Sequence, residues 1–265
     1  MSQSVILYID HQVAHVRLNR ADKHNALDLG MFEAIARAQR QVAKNRNLRA
    51  IILSGEGEDF CSGLDVKSMM RNRSGMLKLL WKWLPWQSNL AQVVSTGWRK
   101  LPVPVIAAVQ GRCWGGGLQI ALGADFRIVQ PEASLSIMEG KWGLIPDMGG
   151  TLALRELMDR DRAMKLAMTA EQISGTEAFE LGLASGLDSD PLAVARGFAD
   201  SLKERSPDAV AACKRLYRKS WSGSPGAALA RETLYQARIL SGSNQRIAVR
   251  RQLGESVPFE KVSRW

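Results

Sequence analysis

The sequence predicts an α/β fold over its first two-thirds and helices alone over its last third. Three observations carry this. Short β-rich runs recur between Val5 and Ile137, helical segments separate several of them, and after Thr151 the strand patterns fade. Val5-Ile-Leu-Tyr-Ile9 and Val13-Ala-His-Val-Arg-Leu18 flank Asp10-His-Gln12 and read as an N-terminal hairpin. Asp28 is a candidate N-cap for a helix to about Asn45, with Met31, Ile35, Ala38 and Val42 on one face. Ala50-Ile-Ile-Leu53 is a short buried strand, ended by Ser54-Gly-Glu-Gly57. Val103-Pro-Val-Ile-Ala-Ala-Val109 is a second, whose proline suits a strand entrance rather than a central position. Gly115-Gly-Gly117 opens a small-residue helix to about Leu122, and Phe126–Val129 and Ser134–Ile137 follow as strands. Helices are then predicted over 150–169, 176–183, 190–204, 207–219, 225–240 and 243–253. Ser174-Gly175, Ser206-Pro207, Ser224-Pro225 and Ser241-Gly242 punctuate them.

Composition sets the class. The chain has 265 residues, 46% of them hydrophobic, enough for a large core. No run approaches the roughly 18 apolar residues of a membrane span. The opening MSQSVILYIDHQ lacks the basic start and apolar run of a secretory signal. Cys61, Cys113 and Cys213 are scattered, which suits a reducing compartment without a cysteine metal site; a cytoplasmic location is the expectation. Thirty-six Lys and Arg against 26 Asp and Glu give a net charge of +10. That favours anionic partners without choosing among nucleic acid, lipid and a phosphorylated small molecule.

Three segments have the residue types for chemistry. Gly111-Arg-Cys-Trp-Gly-Gly-Gly117 lies between a strand and a helix, where unpaired first-turn amides can bind an anion or an oxyanion. Its spacing fits neither GxGxxG nor a P-loop. Phe60-Cys-Ser-Gly-Leu-Asp-Val66 can form a turn that presents the amides after Ser62-Gly63, or be an ordinary loop. Glu139 and Asp147 stand in a glycine-rich, otherwise apolar stretch; desolvation there would suit them to acid/base work, whereas a surface Glu and a helix-capping Asp are the plainer reading. His11, His15 and His24 lack neighbours at metal-ligand spacing and are assigned structural roles. Between Met69 and Leu101, Met70, Met76, Trp81, Trp83, Trp86 and Trp98 mix with Arg71, Arg73, Lys78 and Lys82. This is either an insertion packed on its own domain or a mobile apolar wall.

In order along the chain these segments resemble the crotonase (enoyl-CoA hydratase/isomerase) family. Asn19-Arg-Ala-Asp-Lys-His-Asn-Ala-Leu27 is similar to its N-R-P-x-K-x-N-A-L segment, with Ala21 for proline. Phe60–Asp65 resembles its F-x-x-G-x-D loop. Pro104–Gly111 with Gly115–Gly117, and Gly143–Pro146 with Gly149–Thr151, resemble two further stretches. The resemblance implies a spiral of ββα units over 1–200 and a C-terminal helical region, 201–265, that serves trimer formation, two trimers stacking as a hexamer. It implies an acyl-CoA substrate and no metal or redox cofactor. By position, the amides of Leu64 and Gly116 would form an oxyanion hole, Ser62, Leu64, Asp65 and Val66 would hold the adenine end of CoA, and Arg20 and Lys23 would lie near its phosphates. Phe259 and Lys261 would reach the nucleotide.

A family hydratase uses two glutamates. One aligns with Glu139; the other falls on Gln119, which can hold a water but cannot exchange a proton. Asp147 aligns with an acid of the dienoyl-CoA isomerase branch. Isomerisation of an enoyl- or dienoyl-CoA is therefore favoured, hydration is the alternative, and other enolate chemistry or silent CoA binding stands behind both. From another class, Arg37, Arg40, Lys44, Arg46 and Arg49 form a cationic comb able to meet RNA phosphates, although a solvated helix face explains them more simply.

Overall fold

The predicted hairpin forms: β1 (Val5–Asp10) and β2 (Val13–Leu18) pair antiparallel, with Val5 opposite Leu18. Its two-residue turn holds His11 and Gln12 at positive φ, 42° and 71°, the sense that matches strand twist. The computed structural model describes residues 3–263. Helix α1 (Leu29–Ala43) is capped as the sequence predicts, the Asp28 side chain accepting from Met31 N–H, and it buries Met31, Phe32, Ile35 and Val42.

Strands β3 (Ala50–Gly55), β4 (Val105–Val109) and β6 (Phe126–Val129) continue the sheet in parallel beside β2. The proline before β4 lies outside the strand. β3 and β4 read as apolar runs over Ala50–Leu53 and Val105–Val109 because both faces are covered, whereas β6 carries a buried Arg127. Ile51, Leu53, Val105 and Ala107 join the main core with α1, whereas Ala50, Ile52, Ile106 and Ala108 face Ala195 and Ala199 of a later helix. A two-residue strand, β9 (Gly186–Leu187), closes the far edge of this six-stranded sheet.

Between β3 and β4 lie three helices: α2 (Val66–Met70), α3 (Arg73–Leu80) and α4 (Leu90–Arg99). The last carries an Asn89/Gln92 capping box and buries Trp98 against the core. After β4 the chain makes β5 (Arg112–Trp114), which the sequence reading missed, and then α5 (Gly116–Leu122). β5 pairs with β7 (Ser134–Ser136), itself joined by β8 (Ile173–Ser174), in a second, three-stranded sheet. The helix predicted over 150–169 is two, α6 (Gly150–Leu157) and α7 (Arg160–Thr169), broken at the extended Met158. Then come α8 (Gly175–Glu180) and α9 (Pro191–Lys203), whose Ala195 and Ala199 cover the sheet.

The C-terminal helices are α10 (Pro207–Ser220), α11 (Pro225–Leu240) and α12 (Ser243–Gln252). Lys214 of α10 enters the core, where its ammonium donates to Trp98 O and Val103 O and pairs with Asp125 at 2.6 Å. The tail returns to the α1–β3 loop, Arg46 donating to Val262 O and Arg49 to Glu260 O. Two cations of the supposed RNA comb thus hold the chain's own carbonyls, and Arg37 lies 3.7 Å from Glu33. No helix among the described residues is long and apolar enough to cross a membrane.

Candidate active site

The site is built where two loops run side by side. Cys61 bridges Cys113 in parallel, Cys61 N–H donating to Arg112 O and Trp114 N–H to Cys61 O. Just beyond, the turn at Gly63 lies against the start of α5, where a Cβ on Gly63 would be 3.7 Å from Gly116 N. On its other side the 61–65 turn bonds to Leu27, whose N–H donates to Gly63 O while Asp65 N–H donates to Leu27 O. Leu64 N–H stays outside both ladders. Gly116 N–H opens α5 and has no intrahelical acceptor. Neither amide donates to another described residue, and both residues line the same cavity, of about 590 Å³.

Glycine is required on sterics as well as by motif. Gly63 sits at φ 93°, and a Cβ there would lie 2.9 Å from Trp114 O. A Cβ on Gly116 would meet Leu27 Cδ1 and Met148 Sδ, both at 2.8 Å, and one on Gly117 would overlap Cys61 O at 2.3 Å. At Gly63 and Gly117 the loops therefore approach backbone to backbone, whereas Gly116 meets the ends of two side chains.

Glu139 enters the cavity from a short 3₁₀ turn, Met138–Trp142. Its Oε1 accepts a 2.6 Å bond from Gln119 Nε2, and its buried Oε2 has no partner among the described residues. Loss of water raises the Glu139 pKa above the ordinary glutamate value; nearby Asp147 pushes the same way, while the bond from Gln119 and a backbone N–H oppose it. Asp147 also lines the cavity, with its pKa raised by partial desolvation.

Gln119, on the helix that follows the glycine turn, bonds directly to Glu139. It is 2% exposed, lies off the cavity wall, and its Oε1 accepts from Met148 N–H at 2.9 Å and Gly150 N–H at 3.1 Å. Those two donors fix the amide so that its NH₂ faces Glu139. Gln119 thus holds the Glu139 carboxylate directly by one hydrogen bond.

Other expected contacts also change. Arg20, expected near phosphates, is a clamp: it donates to Ala26 O and pairs with Asp28 and Asp65, both at 3.2 Å. Asp65 is engaged by that arginine and by capping Ser68 N–H, so its carboxylate shapes the loop. Ser62, Leu64 and Val66 do line the cavity. Lys23 is exposed and has no ion pair among the described residues, though it lies off the cavity wall. Phe259 and Lys261 line a separate pocket with Arg46 and Arg49 and do not reach this cavity within the chain. Conversely, His24 and Arg112 lie on the cavity wall. Buried Asp59 holds both, through His24 Nδ1 at 2.7 Å and Arg112 N–H at 2.7 Å. A signal for this existed in the His24 position inside the Asn19–Leu27 segment, but its partner lies 35 residues on.

Among the described residues no three His, Cys, Asp or Glu side chains gather as a metal site. Leu64 and Gly116, whose amides have no acceptor among the described residues, line one cavity with the desolvated carboxyl of Glu139. Unpaired amides and a desolvated carboxyl are the groups that oxyanion stabilisation and proton transfer use.

The chain belongs to the enoyl-CoA hydratase/isomerase, or crotonase, family, whose profile matches residues 8–246. It is 32% identical over 225 residues to a peroxisomal Δ(3,5)-Δ(2,4)-dienoyl-CoA isomerase of Arabidopsis thaliana, covering 80% of this chain and 79% of that protein. It is equally 32% identical to the (E)-benzylidenesuccinyl-CoA hydratase of Thauera aromatica, covering 80% of each. Its fold matches an enoyl-CoA hydratase of Bacillus anthracis with a TM-score of 0.87, at 27% identity, over 98% of this chain and 100% of that one. The α/β core with C-terminal helices is therefore the crotonase fold.

Proposed function

We propose that this enzyme binds an acyl-CoA thioester and shifts a double bond in an enoyl- or dienoyl-acyl group. The thioester oxygen accepts from Leu64 N–H and Gly116 N–H. Ionised Glu139 removes a proton from carbon conjugated to the thioester, and the C–H electron pair moves into the enolate held by the two amides. Glu139 returns the proton at the other end of the conjugated system, which leaves the double bond moved and the enzyme unchanged; if Asp147 delivers it instead, a proton must pass from Glu139 to Asp147 before the next turnover. Ser62 and Val66, with His24 and Arg112 at the wall and Lys23 beyond it, suit the polar and phosphorylated end of CoA.

The observation that carries isomerisation over hydration is the direct Gln119–Glu139 contact of 2.6 Å. A hydratase must hold water between two acidic groups. Here the second group is an amide, hidden behind the first and saturated at its oxygen by two backbone donors. The named relatives divide between isomerase and hydratase, and both act on CoA thioesters. Trimeric assembly, or a dimer of trimers, belongs to the same proposal; exposed Leu229, Leu234 and Leu240 on α11 are available to bury there.

The test is a panel of 2-enoyl-, 3-enoyl- and 3,5-dienoyl-CoA substrates, assayed in parallel for bond migration and for water addition. Migration of the 3-enoyl or 3,5-dienoyl double bond without a hydroxylated product is the expected result. Rapid conversion of 2-enoyl-CoA to a 3-hydroxyacyl-CoA would make the enzyme a hydratase.

A further inference from the structure

The sequence between Asp65 and Asp125 contains eight Lys and Arg and no Asp or Glu. Its middle, Met76-Leu-Lys-Leu-Leu-Trp-Lys-Trp-Leu-Pro-Trp86, follows α3 into a loop where Trp81, Trp83 and Trp86 are 66%, 84% and 80% exposed. Trp81 and Trp83 pack edge to face against one another, 6.4 Å between ring centres, rather than into the core. Leu77, Leu80 and Leu84 are exposed beside them. Among the described residues none of the three indole N–H groups has a hydrogen-bond acceptor, and Lys82, Lys67 and Arg71 have no ion pair. Lys78 pairs with Glu33. Across the cavity mouth the same composition recurs, with Lys141 next to exposed Trp142, Leu144 and Ile145.

We infer that this rim is an interfacial anchor that seats the enzyme on an anionic lipid bilayer. Indoles favour the headgroup boundary, where the ring is apolar and the N–H stays wet, and interleaved cations gain from the negative lipid surface. Pairing the rim with a second copy of itself would set like charges against each other with no acidic residue of the segment to offset them. It would also cover Leu80, Leu144 and Ile145, which line the cavity. The inference rests on exposure and charge and holds whichever reaction the cavity performs.

The experiment is co-sedimentation of the full chain with vesicles of phosphatidylglycerol and phosphatidylcholine, against vesicles of phosphatidylcholine alone. Tryptophan emission is recorded on the same samples. The wild type should partition onto the anionic vesicles with a blue-shifted emission, and added salt should weaken it. Trp83→Ser with Trp86→Ser should lower the partition coefficient at least tenfold, and Lys82→Gln about fivefold, equivalent to the ~1 kcal/mol of one surface cation. The double variant should keep the wild-type melting temperature and gel-filtration volume. No binding by the wild type, unchanged binding by the double variant, or a double variant that elutes as a smaller assembly would each overturn the inference, the last by showing that the tryptophans join copies of the chain.

Discussion

The two walls of the cavity are made in opposite ways. On one side, residues 61–64 and 112–119 approach so closely that Gly63 and Gly117 leave no room for a Cβ, and backbone hydrogen bonds tie Cys61 to Arg112 and Trp114. On the other, 66–86 and 141–147 present large apolar side chains to solvent on short helices and turns. Oxyanion stabilisation depends on donors that do not have to reorganise, so it belongs on the first wall. Accommodation of an acyl group or a surface tolerates movement, so it belongs on the second. If this division is right, conservative changes on the first wall act on the reaction rate, and larger changes on the second leave it alone.

The largest effect is expected at the carboxyl between the walls. Glu139→Gln should lower kcat by about 10²–10⁴, the usual contribution of a general base, with the affinity for a saturated acyl-CoA near normal. Turnover within tenfold of wild type would remove Glu139 from the proton transfer. The same variant relieves a buried charge. Because the folded-state pKa of Glu139 is raised, its neutral form contributes stability that is present at low pH and is lost as pH rises through that value. Glu139→Gln should therefore melt higher than wild type at neutral pH, with the gap closing in acid.

Next in size is the glycine turn. Gly116→Pro deletes one donor and forces a ring against Leu27 and Met148, and should cost about 10²–10³ in kcat. A variant with an unchanged rate would refute the oxyanion assignment.

Gln119→Glu is a gentler and more specific probe. It keeps an acceptor for Met148 N–H and Gly150 N–H but places a second carboxyl 2.6 Å from Glu139. The pair would share a proton, so the acid limb of the kcat/KM profile should move up by at least about one pH unit. A residue that serves only packing would leave that limb in place. The smallest effect is expected on the outer rim: Trp83→Ser should change stability by less than about 0.5 kcal/mol and turnover of a short acyl-CoA by less than twofold.

How far the sequence could be read follows from how far each interaction reaches. The hairpin, α1 and the helices from Pro191 onward were legible because their signals are local: Asp28 caps three residues away, and Ser-Pro pairs open α10 and α11. β5 was hidden inside a glycine-rich turn, and β8 and β9 are two residues long, too short to show a period. The α6–α7 break at Met158 carries no Gly or Pro. In the site, the glycine turn and Glu139 were legible as types. The role of Gln119 was not, because it is set by amides 29 and 31 residues on. The ion pair of Arg20 was hidden for the same reason: its carboxylate partner Asp65 lies 45 residues away.

The most direct test of the central claim is the vibrational frequency of a bound thioester carbonyl. A saturated acyl-CoA, labelled with carbon-13 at its carbonyl, binds without reacting, and isotope-edited infrared spectroscopy isolates that one bond. Polarisation by the amides of Leu64 and Gly116 should move the bound stretch to lower frequency than in water, and Gly116→Pro should reverse most of the shift while the ligand stays bound. A bound carbonyl at its solution frequency in the wild-type enzyme would contradict the account.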